Sequence, residues 1–136
     1  MDVARITTPE VSELPTATWT NAFRIGEEIV MSGMTAHPAT RQAAAPLGAY
    51  EQTLEVLRKL LAYVEAAGGN KRNLYKLVLY VTDIADKDEV GRARRDFFQA
   101  PYPCSTLVEV KGLVFPELKV EIDAWARLDV DLSRCA

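Results

Sequence analysis

The chain has 136 residues, room for one domain around one hydrophobic core. Hydrophobic residues make up 49% of it and charged residues 26%, ordinary values for a globular domain. Its net charge of −3 argues against nucleic acid as a partner, because a phosphate-binding surface needs clustered Lys and Arg with a basic balance to match.

The N-terminus, Met1-Asp2-Val3-Ala4-Arg5, carries no apolar leader, and Thr7-Thr8-Pro9 and Leu14-Pro15 predict an irregular lead-in over residues 1–15. Thr16 to Ile25 is rich in Thr, Trp and Phe and predicts a strand, followed by a turn at Gly26-Glu27 and a second strand over 28–34. Residues 35–47, with Pro38 and Pro46, read as a loop. A helix is predicted from about Ala49 to Ala67, with Tyr50, Leu54, Leu57, Leu61 and Val64 on one face and a Glu55–Lys59 pair outside. Gly68-Gly69 ends it.

The run from Leu74 to Thr82 is apolar on both faces in its second half, which predicts a central strand. Asp86 and Glu89 resemble a capping box for a helix reaching Phe98, with Val90, Ala93 and Phe97 inward. The cluster Arg92, Arg94 and Arg95 on that helix reads as a solvated or subunit-contacting face. Two final strands, about 104–111 and 118–128, precede a short tail over 129–136. The predicted order is ββαβαββ in a single domain, a mixed sheet with two helices on one face.

No apolar run approaches the ~20 residues of a membrane span, so a cytoplasmic protein without a membrane or nucleic-acid partner is expected. Cys104 and Cys135 lack metal-ligand spacing, so no metal or other cofactor is expected. By alternation Cys104 falls on the helix-facing side, and His37, before Pro38, reads as a surface histidine.

Alternation in the last strand separates Val120, Ile122, Ala124 and Ala126 from Lys119, Glu121, Asp123 and Trp125. In the preceding strand Thr106, Val108 and Val110 face one way, and Ser105, Leu107, Glu109 and Lys111 the other. The face away from the helices therefore mixes Leu107 and Trp125 with carboxylates and lysines. Two readings stand: packing against copies of itself, or a solvated sheet with a few apolar residues.

An ordered set of short motifs resembles the RidA/YjgF (reactive-intermediate deaminase) family. It comprises Trp19-Thr-Asn-Ala22, Val30-Met-Ser-Gly33, Gln52-Thr53, Glu65-Ala-Ala-Gly68, Val78 to Asp83, Phe97-Phe98, Thr106-Leu-Val-Glu-Val110 and Val120-Glu-Ile-Asp-Ala124, spanning roughly residues 16–128. The resemblance implies a chorismate-mutase-like fold and a homotrimer with clefts between subunits. It also implies hydrolysis of reactive enamines and imines to carbonyl compounds and ammonia, without metal or organic cofactor.

In active members an arginine four residues before the Glu of Val-Glu-Val binds the substrate carboxylate, a bidentate task suited to guanidinium. Here that position is Ser105, so the chain resembles arginine-lacking branches whose substrates differ. The family's tyrosine is Trp19, an asparagine after the third strand aligns with Ala85, and the glutamate near the end matches Glu121. The resemblance makes Glu121 the candidate catalytic residue, with Ser105, Trp19, Ser32, Gly33 and Leu107 binding a small-molecule substrate. A second reading of Glu121 is a carboxylate paired with Lys119 or Lys111. The alternatives to a deaminase are a non-catalytic binder or sensor using the same clefts and a scaffold whose clefts are idle. The acidic balance argues against a ribonuclease or translation inhibitor.

Overall fold

The computed structural model describes residues 2–136. Strands β1 (Val3–Arg5), β2 (Ala22–Ile25), β3 (Glu28–Met34), β4 (Leu74–Val81), β5 (Cys104–Glu109) and β6 (Val120–Arg127) form one sheet in the order β1-β2-β3-β6-β4-β5. Neighbours are antiparallel except β4 and β5, which are parallel. A parallel pair needs a crossover, and the helix α3 (Lys87–Phe97) supplies it. The long helix α2 (Ala49–Ala66) lies over β6 and β3 and against α3, so both helices cover one face of a mixed α+β sheet. A single turn, α1 (Ala39–Gln42), interrupts the loop before α2.

The core follows the period-two pattern of the strands. Ile29, Met31, Leu77, Leu79, Val81, Val120, Ile122, Ala124 and Ala126 are buried beneath the helices. Against them α2 sets Val56, Leu57, Leu60, Tyr63 and Val64. Gly26 turns the β2–β3 hairpin at φ 61° and Gly68 ends α2 at φ 89°, both in the left-handed region that side chains disfavour.

Several expectations need correction. The expected lead-in contains a short strand and two core residues: β1 pairs with β2, and Ile6 and Val11 are buried, while residues 6–15 run as turns and irregular chain. The strand expected from Thr16 begins only at Ala22, because residues before it form turns and bends. The buried face of α2 is centred on Val56, Leu60 and Tyr63 rather than on Tyr50, Leu54 and Leu61, which are half-buried. That rotation turns Lys59 inward, and Glu55 pairs with Arg58 instead. Asp86 makes no capping hydrogen bond; Asp83 caps the 3-10 turn Ile84–Asp86 that leads into α3.

The register of β5 corrects the largest error. Leu77 lies beside Ser105 and Leu79 beside Leu107, so both β5 residues face the helices, and Leu107 packs against the core. Cys104, expected on the helix side, is exposed beside Lys76. The uncovered face carries Thr106 and Val108 of β5 with Val30, Val78 and Trp125 of its neighbours.

Because the N-terminal segment is part of the core, Ile6→Ala should lower unfolding free energy by about 2 kcal/mol. Urea denaturation followed by circular dichroism measures this, and an unchanged midpoint would return Ile6 to a dispensable lead-in.

Candidate functional site

A cleft of ≈ 540 Å³ opens where the N-terminal segment, the β3 bulge and the start of β6 meet. Its floor is a break in register. β3 and β6 lose their regular pairing between Met31 and Met34, which places Ser32 and Gly33 at an irregularity rather than in the ladder. A Cβ on Gly33 would lie 2.8 Å from Glu121 Oε2 and 2.8 Å from Asp123 Oδ1, so the two carboxylates close over the bare glycine. This close approach is the physical reason for glycine at position 33.

Glu121 is half-buried in the cleft, with no ion pair to any described residue. Lys119, one of its expected partners, reaches Asp86 instead at 4.0 Å. Burial, and secondarily the charge of Asp123, hold the Glu121 carboxyl above the usual carboxylate range. Asp123 accepts a hydrogen bond from Tyr80 at 2.8 Å, which leaves Glu121 as the carboxylate without a hydroxyl donor.

One wall is Trp19, 54% exposed and lying before β2 rather than within it. Its indole N–H donates to Asn21 Oδ1 at 3.0 Å, and the Asn21 amide donates to Tyr63 Oη at 2.9 Å. Tyr63 donates in turn to Glu13 at 3.1 Å, which also pairs with Arg5 at 3.3 Å. The chain of contacts fixes the indole and leaves Arg5 already engaged. Ser32 has a structural task too, since its hydroxyl donates to the Thr20 carbonyl.

The opposite wall holds Lys59 and His37, which sequence reasoning did not place here. Lys59 Nζ donates to the carbonyls of Thr35 at 2.8 Å and His37 at 3.0 Å, and burial lowers its pKa. His37 is half-buried, its ring 4.7 Å from that of Phe115, and its Nδ1 is buried without a hydrogen-bond partner among the described residues. It is therefore not a surface histidine. The available signal for Lys59 was its position between Val56 and Tyr63, within the stripe that α2 buries.

Of the six predicted site residues, Trp19, Ser32, Gly33 and Glu121 meet at this cleft. Ser105 and Leu107 do not; within the chain they lie on the helix-covered side of β5. Ser105 instead receives a hydrogen bond from Arg94 of α3. Among the described residues no three His, Cys, Asp or Glu side chains are grouped as a metal site. No described helix is long and apolar enough to cross a membrane.

Fold and cleft together define a single-domain α+β protein with one helix-covered sheet face and a carboxylate set in a polar cleft. The family model described as Endoribonuclease L-PSP matches residues 10–128, and the chain belongs to this RidA/YjgF family. It is similar to the RutC family protein y4sK of Sinorhizobium fredii, with 33% identity over 78% of this chain and 83% of that one. It is also similar to the 2-iminobutanoate/2-iminopropanoate deaminase of Escherichia coli, with 32% identity over 75% of this chain and 80% of the other. Among solved structures it matches PA3499 of Pseudomonas aeruginosa, a protein of unknown function, with 62% identity, a TM-score of 0.96 and 99% of each chain covered.

The raised pKa of Glu121 has a stability consequence. The folded state holds the proton more tightly than the unfolded state, whose reference value is 4.5, so stability falls as pH rises through the interval above it. Glu121→Gln should therefore raise Tm at pH 7, with the gain vanishing as pH is lowered below 4.5, where both states are protonated. Scanning calorimetry at both pH values checks this; equal Tm at pH 7 would mean that Glu121 carries no uncompensated charge.

Proposed function

We propose that the chain is an imine or enamine deaminase that hydrolyses a reactive nitrogen-containing metabolite to a carbonyl compound and ammonia, with Glu121 as general base. The observation that carries the reading is the half-buried, unpaired Glu121 carboxylate held over Gly33 in the cleft. The name of the Escherichia coli relative agrees with the reaction class.

The chemistry needs little beyond this group. Water adds to the C=N carbon, and its proton passes to Glu121 as the C–O bond forms. Glu121 passes that proton to the nitrogen to give a carbinolamine, then takes the carbinolamine hydroxyl proton and relays it to the same nitrogen as the C–N bond breaks, releasing ammonia and leaving C=O. A carboxylate whose pKa is raised by burial is a stronger base than one in bulk water. Trp19 offers a flat wall for an unsaturated substrate, and the reaction calls on no metal or organic cofactor. Because Ser105 provides no guanidinium, the substrate is one not held by the arginine of the family's active members.

The same reading includes a homotrimer. Val30, Val78 and Trp125 are half-buried on a sheet face that no helix covers, and Val108 there is 42% exposed. Packing of this face against copies would bury that apolar band and set the exposed β5 edge of one subunit beside the cleft of the next.

Two measurements test the proposal. Imines generated in situ by an amino-acid oxidase or a threonine dehydratase should be hydrolysed faster with the protein, and Glu121→Gln should slow this by about 10²–10⁴-fold. Gly33→Ala, which pushes on the carboxylate, should reduce the rate while the fold persists. The wild-type rate should fall as pH drops through a Glu121 pKa lying above 4.5. Absence of acceleration across the imine panel would assign the cleft to ligand binding without turnover. Sedimentation equilibrium should return a trimer mass, and a monomer would remove the self-packing role of the open face.

A further inference from the structure

The Glu121 cleft is polar at its floor and apolar at its mouth. Seven large apolar side chains stand exposed among the described residues, and three of them, Leu14 at 63%, Trp19 at 54% and Val114 at 71%, line this one opening. Single apolar residues scattered over a surface need no explanation, but three gathered around one cleft mark a surface with an occupant.

Local structure presents each of the three to the opening. The Ala17 amide donates to the Leu14 carbonyl at 3.1 Å, which makes a turn with Leu14 at its start. The Trp19 N–H is engaged by Asn21 at 3.0 Å, so what the indole offers the cleft is ring surface. Val114 precedes Phe115, whose ring lies 4.7 Å from that of His37 and 4.0 Å below the Arg41 guanidinium. Those contacts pin the connection between β5 and β6 that carries Val114. Leu14 and Trp19 precede β2, so none of the three belongs to the sheet face of Val30, Val78 and Trp125 whose packing the trimer explains.

The charged lining adds a direction. Arg5 is paired with Glu13, Glu13 also accepts from Tyr63, and Lys59 donates to two backbone carbonyls. Glu121 is the charged side chain of the lining that makes no hydrogen bond to a described residue, and it sits at the floor over Gly33. A ligand therefore meets a reactive polar end inside and an apolar surround outside, in a cleft of ≈ 540 Å³ that the smallest imino acids would leave largely empty.

We propose that the substrate of this cleft is an imine carrying a bulky apolar side group, aromatic or branched, and that Leu14, Trp19 and Val114 select it. The inference rests on the deaminase reading above and adds the substrate class to it. The C=N group lies at the floor beside Glu121, and the side group lies against the Trp19 ring between Leu14 and Val114. Burying that group removes its surface and the apolar rim from water together, and a flat ring gains stacking on the indole as well.

The test uses a D-amino-acid oxidase to generate imines in situ from D-alanine, D-leucine and D-phenylalanine, which share a head group and differ in the side group alone. At matched imine flux, hydrolysis of the phenylalanine-derived imine should be accelerated about tenfold or more over that of the alanine-derived one, with leucine between. The double variant Leu14→Ser, Val114→Ser should bring that ratio close to one. Val3→Ser, at a residue 56% exposed and outside the cleft, should keep it. Circular dichroism and sedimentation equilibrium compare fold and mass with the wild type; if the double variant does not fold, Val114→Ser alone reads the same ratio. A changed mass would make the rim a subunit contact and overturn the proposal. So would a flat or falling series in an active enzyme, and so would an undiminished ratio in the folded variants. If no imine is accelerated, the deaminase reading fails by itself, and titration calorimetry with phenylpyruvate against pyruvate decides the cleft. Tighter binding of phenylpyruvate that is lost in the double variant keeps the apolar ligand class, and equal or absent binding overturns it.

Discussion

Strict alternation along β6 governs both the fold and the cleft. β6 sits between β3 and β4, and its residues Val120, Ile122, Ala124 and Ala126 are fully buried beneath α2. The residues between them, Glu121, Asp123, Trp125 and Arg127, are held on the opposite face. A slip of one residue would drive two carboxylates and an arginine under the helices, a cost far beyond what any alternative pairing could offset. The register is therefore strongly specified, and Glu121 inherits its position from the apolar neighbours buried under the helices.

What surrounds Glu121 comes from less regular elements. The β3 bulge brings Gly33 under the carboxylates, and the segment from Arg5 to Asn21 wraps across the open end to form a wall. Hydrogen bonds from Trp19 through Asn21 and Tyr63 to Glu13 tie that wall to α2. The N-terminal segment thus joins core and cleft: Ile6 and Val11 anchor it while its polar side chains face the opening. Burial of Lys59 beside two backbone carbonyls fastens the opposite wall to the same helix.

The cleft and a second pocket, between α3 and β5, differ in their electrostatics. In the cleft an unpaired carboxylate is pushed toward its protonated form by burial and by Asp123. Between α3 and β5 an unpaired guanidinium, that of Arg94, faces apolar walls with no acid at hand. Each is a half-desolvated charge with no counter-ion among the described residues, and such groups are over-represented where ligands bind.

The sequence alone determined the features governed by short periods. The strands β3 and β4, the period-two alternation of β6, the helical run closed by Gly68, and the Gly26 turn all appear in the structure close to where their residues predict them. The ordered motifs identified the family, and they singled out Trp19, Ser32, Gly33 and Glu121, which do converge. Tertiary structure alone decided which face each side of β5 takes. An edge strand with mixed residues on both sides, Ser105 and Leu107 against Thr106 and Val108, carries no pattern that distinguishes core from solvent; its parallel register with β4 does that. It alone also decided the inward turn of Lys59, the docking of Ile6 and Val11, and the meeting of Arg94 with Ser105. These depend on contacts between segments distant in sequence, or on a helix rotating by a fraction of a turn to bury its largest side chains, and local periodicity contains neither.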